Sequence, residues 1–323
     1  MAGKDWARAN LFRSGGGVAE APSSDPSAWL AGLRLGPSQL LGVLELWPLI
    51  HPDALLEPDL LAPEAIADGL LDVREKDGGT VQELIATNRA PRPVILFEGE
   101  ILLGAKQNRM VAHTVVIAPG ATNVIPVGCV ERGRWRWTAP GFRASDCVAE
   151  AALRRSAKAS VAAARAASGR VMLDQHALWN EVDVALDCEG VRSQTSDYHA
   201  VQRQRASADA ALARVTPLDR QVGVMALRDG VLAALDLVGS AGTWKGVCGR
   251  IVRSLLATPG GVGRASGPGQ DAEDWLAALS ATRMVLHPAI GSGKDMTLEG
   301  KGLVGSGVWL DGRPAHVSAF SSV

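Results

Sequence analysis

The chain reads as an α+β protein, with a β-rich core, mixed or antiparallel and sandwich- or barrel-like, and a helical segment packed against it. Three observations predict this. Strand-like runs rich in β-branched residues crowd together between Thr80 and Glu131, with turn-like separators. An alanine-rich stretch with helical punctuation follows over 144–169. Strand language returns near 221–238 and 283–320, so strands and helices come in blocks rather than alternating as in a doubly wound parallel sheet.

Each element has its local reason. Residues 1–37 read as a loose leader punctuated by Gly, Ser and Pro, without the apolar run of a signal peptide. LLGVLELWPLI (40–50) reads as a buried strand, APEAIADGLL (62–71) as a short helix and DVREK (72–76) as a charged strand. TVQELIATN, PVILFEGEILL, MVAHTVVIA and NVIPVGCVE follow as strands. The uncharged window 110–130 could cross a bilayer by length, but its prolines, glycines and β-branched residues fit two strands around APGATN; no membrane segment is expected. Ser145 or Asp146 would cap the next helix and Gly169 would stop it. Leu178, Val182 and Leu186 give helical spacing to 171–187, and further helices fall at 198–214 and 244–257. QVGVMAL and VLAALDLV pair around RDG, TPGGVGRASGPGQD (258–271) is a mobile loop by composition, and HVSAF (316–320) is a final strand. Residues 38–321 are then one domain: a β-rich half (38–137), a helical segment (138–215) and an α/β completion (216–321).

Composition narrows the classes. At 323 residues, 47% hydrophobic and 21% charged, the chain is globular, and a net charge of −1 disfavours nucleic acid as the general partner. Four cysteines without a CxxC pair suit a reduced, cytoplasmic setting, and Cys188 or Cys248 reads as a small buried apolar residue. No zinc spacing, P-loop, nucleophile elbow or dinucleotide fingerprint is present; the sequence identifies no cofactor and does not set the oligomeric state.

The chemistry concentrates between Glu98 and Trp135. Its ends carry Glu98, Glu100, Lys106, Gln107, Asn108 and Arg109, then Cys129, Glu131, Arg132 and Arg134, around a middle with no charge. Burial of that middle would gather the polar ends at one pocket, with His316 as a further lining residue. On a strand, Glu98 and Glu100 share a face and, with Glu131, are the candidate catalytic carboxylates; otherwise they flank a turn at Gly99 and face water. Lys106, Gln107, Asn108, Arg109, Arg132, Arg134, Trp135 and His316 are the candidate ligand-binding residues, since guanidinium and indole suit phosphate and a flat ring. Trp135 and Trp137 also read as core aromatics, and KQNR (106–109) as an exposed loop. Neighbouring guanidiniums would lower the Cys129 thiol. Arg154, Lys158 and Arg165 share a helical face, read as solvated or as a polyanion-binding stripe.

PVILFEGEILLGAKQNR followed by VIPVGCVERGRW, together with Gln175, Trp179, SQTS (193–196), QVGV (221–224) and HVSAF, resembles the ARG and rhodanese-phosphatase-superfamily-associated protein domain family, where ARG denotes ADP-ribosylglycohydrolase. The resemblance covers about 38–321. It implies an uncharacterised family tied by gene neighbourhood to ADP-ribose-removing and phosphatase-like proteins, hence to NAD or ADP-ribose metabolism. The functional expectation is binding, with hydrolysis or transfer, of a nucleotide- or ADP-ribose-like ligand. The rival is a non-catalytic interaction module whose polar cluster is structural and whose basic helix docks a partner.

Overall fold

The computed structural model describes residues 25–77, 79–205, 215–257, 271–300 and 302–321. In chain order these form α1 (Pro26–Ala31), β1 (Arg34–Leu35), β2 (Gln39–Leu41), β3 (Leu44–Ile50), β4 (Leu60–Leu61), α2 (Ala62–Ala67), β5 (Leu71–Glu75), β6 (Glu83–Asn88), β7 (Val94–Leu96), β8 (Glu100–Gly104), β9 (Arg109–Val111), β10 (Val115–Ile117), β11 (Thr122–Cys129) and β12 (Phe142–Val148). Then come α3 (Ala151–Ser168), α4 (Gln175–Cys188), α5 (Tyr198–Arg205), β13 (Gln221–Arg228), β14 (Val231–Leu237), α6 (Ala241–Leu256), α7 (Ala272–Ser280), β15 (Arg283–Pro288), β16 (Lys294–Gly300), β17 (Leu303–Leu310) and β18 (Arg313–Ser321). The protein is α+β with antiparallel sheets, as the block pattern predicts.

A nine-stranded sheet runs β1-β3-β13-β14-β18-β17-β16-β15, with β2 on β3. One face packs on α1 and α7 through Trp29, Leu30, Val317 and Trp275. The other packs on α6 and on Ile95, Phe97 and Val116 from the smaller sheets. A six-stranded sheet, β12-β8-β9-β11-β6-β5, curls until its edges approach: an ideal Cβ on Gly141, just before β12, would lie 3.2 Å from the Val73 carbonyl oxygen in β5. The three-stranded sheet β10-β7-β4 lies beside it, its one parallel pairing between β4 and β7.

Several elements differ from their sequence reading. Residues 25–37 are packed rather than loose: Asp25 caps α1, Trp29 stacks on His51 at 4.0 Å, and Leu30 is fully buried. LLGVLELWPLI belongs to a β2–β3 hairpin turning at Gly42, where φ is +64°. Residues 142–148 form β12, so neither Ser145 nor Asp146 caps α3; pairing with β8 overrides the local capping signal, and Glu150 precedes the helix without a side-chain cap bond. Gly169 does close α3, with φ +69°. Asp229 and Gly230, at φ +51° and +74°, make the two-residue turn between β13 and β14. Residues 206–214 of the third helical run, and 258–270 of the glycine-rich loop, lie outside the described residues.

Two breaks position the site. PVILFEGEILL splits at Glu98–Gly99, sending β7 to one sheet and β8 to another, and MVAHTVVIA splits at Ala112–Thr114 in the same way. The breaks lie side by side, with the Gly99 N–H donating to Val111 O and the Glu98 N–H to the Thr114 hydroxyl. Gly99 has φ +85°, and a Cβ there would lie 2.8 Å from Arg154 Cδ, so both backbone and space demand glycine.

Because α1 seals one face of the large sheet, Leu30→Ala should lower the unfolding free energy by ~2–5 kcal/mol in urea titration. Stability equal to the parent would mean that this segment does not belong to the core.

Candidate functional site

The residues singled out between Glu98 and Trp135 do not share one pocket. They divide between a buried charge seam, an arginine-centred knot and an exposed surface.

The seam lies where α3 crosses the large sheet. Register places Thr297, Ser306, Ser318 and Asp236 in one row across β16, β17, β18 and β14, and Asp295, Val308 and His316 in the next. Arg154 donates to both oxygens of Asp236, at 3.0 and 2.5 Å. Lys158 pairs with Glu98 and donates to the Ser306 hydroxyl at 2.9 Å. Arg165 donates to Asp295 at 2.6 Å. From Arg154 to Arg165 the helix rises about 16 Å at ~1.5 Å per residue, and β14 to β16 spans three strand spacings, about 14 Å. The basic stripe therefore faces the sheet, not solvent, because one cation meets each carboxylate along the way.

Glu98 reaches the seam through the turn at Gly99. Its Oε1 lies 3.4 Å from Arg154 Nε, and Ser318 donates to Oε2 at 2.9 Å. His316 lies 3.1 Å from Asp236 through Nε2 and 2.8 Å from Thr114 Oγ1 through Nδ1, stacked on Phe97. Burial outweighs Asp236 and holds His316 below its usual pKa, so the ring is neutral near pH 7. A neutral ring donates from Nε2 to the acceptor-only carboxylate and accepts from Thr114 at Nδ1. The hydroxyl is left to accept the Glu98 N–H.

Burial pushes the Asp236 carboxyl up, but Arg154 and His316 together bring it down to about 2. Burial likewise raises Glu98, and Lys158 and Arg154 reverse it to a net lowering. Lys158 itself is lowered, because burial, with the neighbouring guanidinium, outweighs the pull of Glu98 and Asp236. Three carboxylates, Glu98, Asp236 and Asp295, face three cations, Arg154, Lys158 and Arg165, with His316 neutral among them.

The knot gathers Gln107, Asn108, Arg109, Glu131 and Arg134. Arg134 donates to both Glu131 oxygens, at 2.8 and 2.6 Å, and to the carbonyls of Ala105, Gly104 and Arg136. Glu131 also accepts the Asn108 N–H at 3.1 Å and the Thr195 hydroxyl at 3.1 Å. Gln107 donates to the Glu131 carbonyl and accepts from Arg109, itself fully buried beside Glu75. The KQNR turn is thus wrapped around Arg134 rather than exposed, and Arg109 and Arg134 are spent on internal acceptors rather than open to phosphate. Gly133 is needed for closeness: a Cβ there would meet Thr195 Cα at 2.8 Å.

The remaining candidates sit elsewhere. Glu100 turns away from Glu98 to Arg250, at 3.0 Å, and to the Phe97 N–H; burial raises its pKa. The turn at Gly99 separates the two carboxylates, and both are buried rather than facing water. Cys129 is fully buried and burial raises its thiol, against the lowering expected from nearby arginines. Gln175 clasps the Cys129 backbone, accepting its N–H at 2.8 Å and donating to its carbonyl at 2.9 Å. Cys188 is exposed and Cys248 buried. Arg132 is exposed and pairs with Asp183 at 3.2 Å. Trp135 and Trp137 are half exposed, at 50% and 56%, with Lys106 Nζ 5.0 and 5.6 Å from their rings.

Sequence reasoning missed Asp236, Asp295, Thr114 and Ser318 as members of this network. The available signal was a lone carboxylate at an inward register position, between Ala234 and Val238 in VLAALDLV.

The fold is thus that of an antiparallel α+β protein built around a buried ionic seam. The chain belongs to the ARG and Rhodanese-Phosphatase-superfamily-associated Protein domain family, whose model matches residues 32–320. No curated protein and no solved structure matches it. Among the described residues no helix is long and apolar enough to cross a membrane.

Two outcomes follow for the seam. Glu98→Ala strands buried Lys158 beside Arg154 and should cost ~3–5 kcal/mol in chemical denaturation; a loss under ~1 kcal/mol would mean water already compensates these charges. Acid should destabilise in two stages. His316 and His51 have lowered folded pKa values, so their contribution holds above about 6.5 and falls as pH drops below it. Glu98 and Asp236 are also depressed, so theirs holds above about 4.5 and 3.8 and falls below, until Asp236 protonates near 2. Melting temperature recorded from pH 8 to 3 reads both stages, and His316→Gln should flatten the first.

Proposed function

We propose that the chain binds a nucleotide-like ligand, of the mononucleotide or ADP-ribose class, on the face formed by Trp135, Arg136 and Trp137. The observation that carries this is the pair of exposed indoles beside Lys106, on a loop whose base is tied down by Arg134. An aromatic ring flanked by cations suits a flat base with a phosphate attached. The side chain of Arg136, between the two indoles in sequence, is on an exposed residue and makes no hydrogen bond or ion pair among the described residues. The knot's part is to hold the loop in a preset shape, which limits the ordering cost of binding.

The roles change from the sequence expectation. Glu98, Glu100 and Glu131 serve as buried counter-charges, Arg109, Arg134 and His316 as structural partners, and Trp135 keeps the stacking role. The proposal is binding alone. The family's association with ADP-ribosylglycohydrolases makes ADP-ribose the first ligand to test. The partner-docking rival loses the stripe of Arg154, Lys158 and Arg165, which is engaged inside, and keeps this aromatic face.

Tryptophan fluorescence titrated with ADP-ribose, NAD and AMP provides the test, with a short single-stranded oligonucleotide as a further arm. Trp135→Ala should weaken the best ligand roughly 5- to 150-fold, the worth of one stacked base, without lowering the melting temperature. No quenching by any of them at millimolar concentration, or equal affinity in the variant, would remove the reading.

A further inference from the structure

A cleft of about 1020 Å³ opens on another part of the molecule, where three distant segments meet: the β6–β11 pair, the turn from α3 into α4, and the β15–β16 hairpin. The walls are tied to one another. Gln82 donates to the Leu173 carbonyl at 2.9 Å, and Asn123 to the Ile290 carbonyl at 2.9 Å. The Ser292 N–H donates to Val116 O at 2.7 Å, and a Cβ on Gly291 would lie 2.0 Å from that oxygen, so the hairpin seats only as glycine. The cleft is preformed by these links rather than assembled by a ligand.

Its charges are unevenly paired. At its inner end lies the outer limit of the seam, where Arg165 pairs with the buried Asp295 and His113 stands 3.1 Å behind it. Burial raises the Asp295 carboxyl, but His113 and Arg165 bring it to a net lowering, so it is an anion that already has its cation. The Arg165 guanidinium makes no other hydrogen bond among the described residues. Glu83 on the rim is answered by Lys76. Arg170 is exposed on the wall with no ion pair or hydrogen bond among the described residues, which leaves it the charged group of the lining without a partner of opposite sign.

The rest of the lining is apolar and partly uncovered. Val124 and Met172 are 40% and 38% exposed, large hydrophobic side chains that no core claims, and both face the cleft beside Pro126 and Ile290. A surface combining uncovered apolar side chains with two guanidiniums that have donors to spare has one complementary chemistry: an apolar body carrying a single anionic group.

We infer that this cleft is a binding site for a small amphipathic anion, a carboxylate or phosphate monoester on an apolar body, with Arg170 and Arg165 taking the anion and Val124 and Met172 the body. The site is separate from the Trp135 face, and neither reading depends on the other.

The probes are octanoate and phenyl phosphate, titrated calorimetrically into the full chain, with inorganic phosphate as the charge-only control. At least one of the two organic anions binds at low millimolar concentration or better, and which one identifies the head group. Arg170→Ala weakens it at least tenfold, and Val124→Glu, which puts a like charge on the apolar wall, abolishes binding. Both side chains are exposed, so the variants melt with the parent; a fall in melting temperature for one leaves the other to decide. Trp135→Ala leaves this binding unchanged, which separates failure here from failure at the aromatic face. Binding of neither organic anion overturns the inference. So does binding unaffected by both variants, or inorganic phosphate binding as tightly as the organic anions.

Discussion

The constraint on which the architecture depends is the placement of α3 across four strands with its cations pointing inward. Taking Arg154, Lys158, Glu98 and Asp236 out of water costs several kcal/mol per ion, and only near-complete pairing offsets it. Every neighbouring feature follows from that demand. Gly99 must lack a side chain so that Arg154 can pass, and the two broken strands must lie side by side so that Glu98 and Thr114 arrive together. Serines occupy β17 and β18 at the register positions facing Lys158 and Glu98, where larger residues would leave acceptors unmet. His316 is neutral because burial outweighs the pull of Asp236 on its proton.

Much of the fold was legible in the sequence, because alternation and turn chemistry are local. The turn RDG, the stop at Gly169, the strands of the β-rich half and the return of strands after 216 could all be read. What could not be read were the interruptions. PVILFEGEILL is continuous as text, and nothing in its propensities says that Val94–Leu96 and Glu100–Gly104 join different sheets. β12 was hidden for a related reason: Ser145 and Asp146 look like caps until β8 offers a ladder. The candidate site was legible as composition and misleading as geometry. Glu131, Asn108 and Arg134 do converge, while Glu98 and Glu100 part at one glycine. The basic stripe was visible in Arg154, Lys158 and Arg165, but its direction depends on Asp236 and Asp295, 82 and 130 residues further on.

The two networks divide the work. The seam joins Glu98 of the β-rich half to Asp236 of the completing strands through Arg154 on the helix between them. The knot is local: it closes the KQNR turn over the loop after β11 and fixes how Trp135 and Trp137 leave the body. A rigid base beneath an exposed aromatic loop, and a preformed cleft at the far end of α3, leave two surfaces that the fold itself does not consume. The carboxylates most conspicuous in the sequence are the ones the fold consumes most completely.

The seam also has a consequence for synthesis on the ribosome. Arg154 and Lys158 leave the exit tunnel long before Asp236, Ser306, His316 and Ser318, their partners and those of Glu98, have been translated. Until β18 emerges, the apolar face of α3 can pack on β8 and α4, but the face that carries its cations lacks the complete sheet. The same residues that become core at completion keep the unfinished protein water-loving. A chain that stops short of β18 therefore lacks His316 and Ser318, and the carboxylates of Asp236 and Glu98 lose those donors.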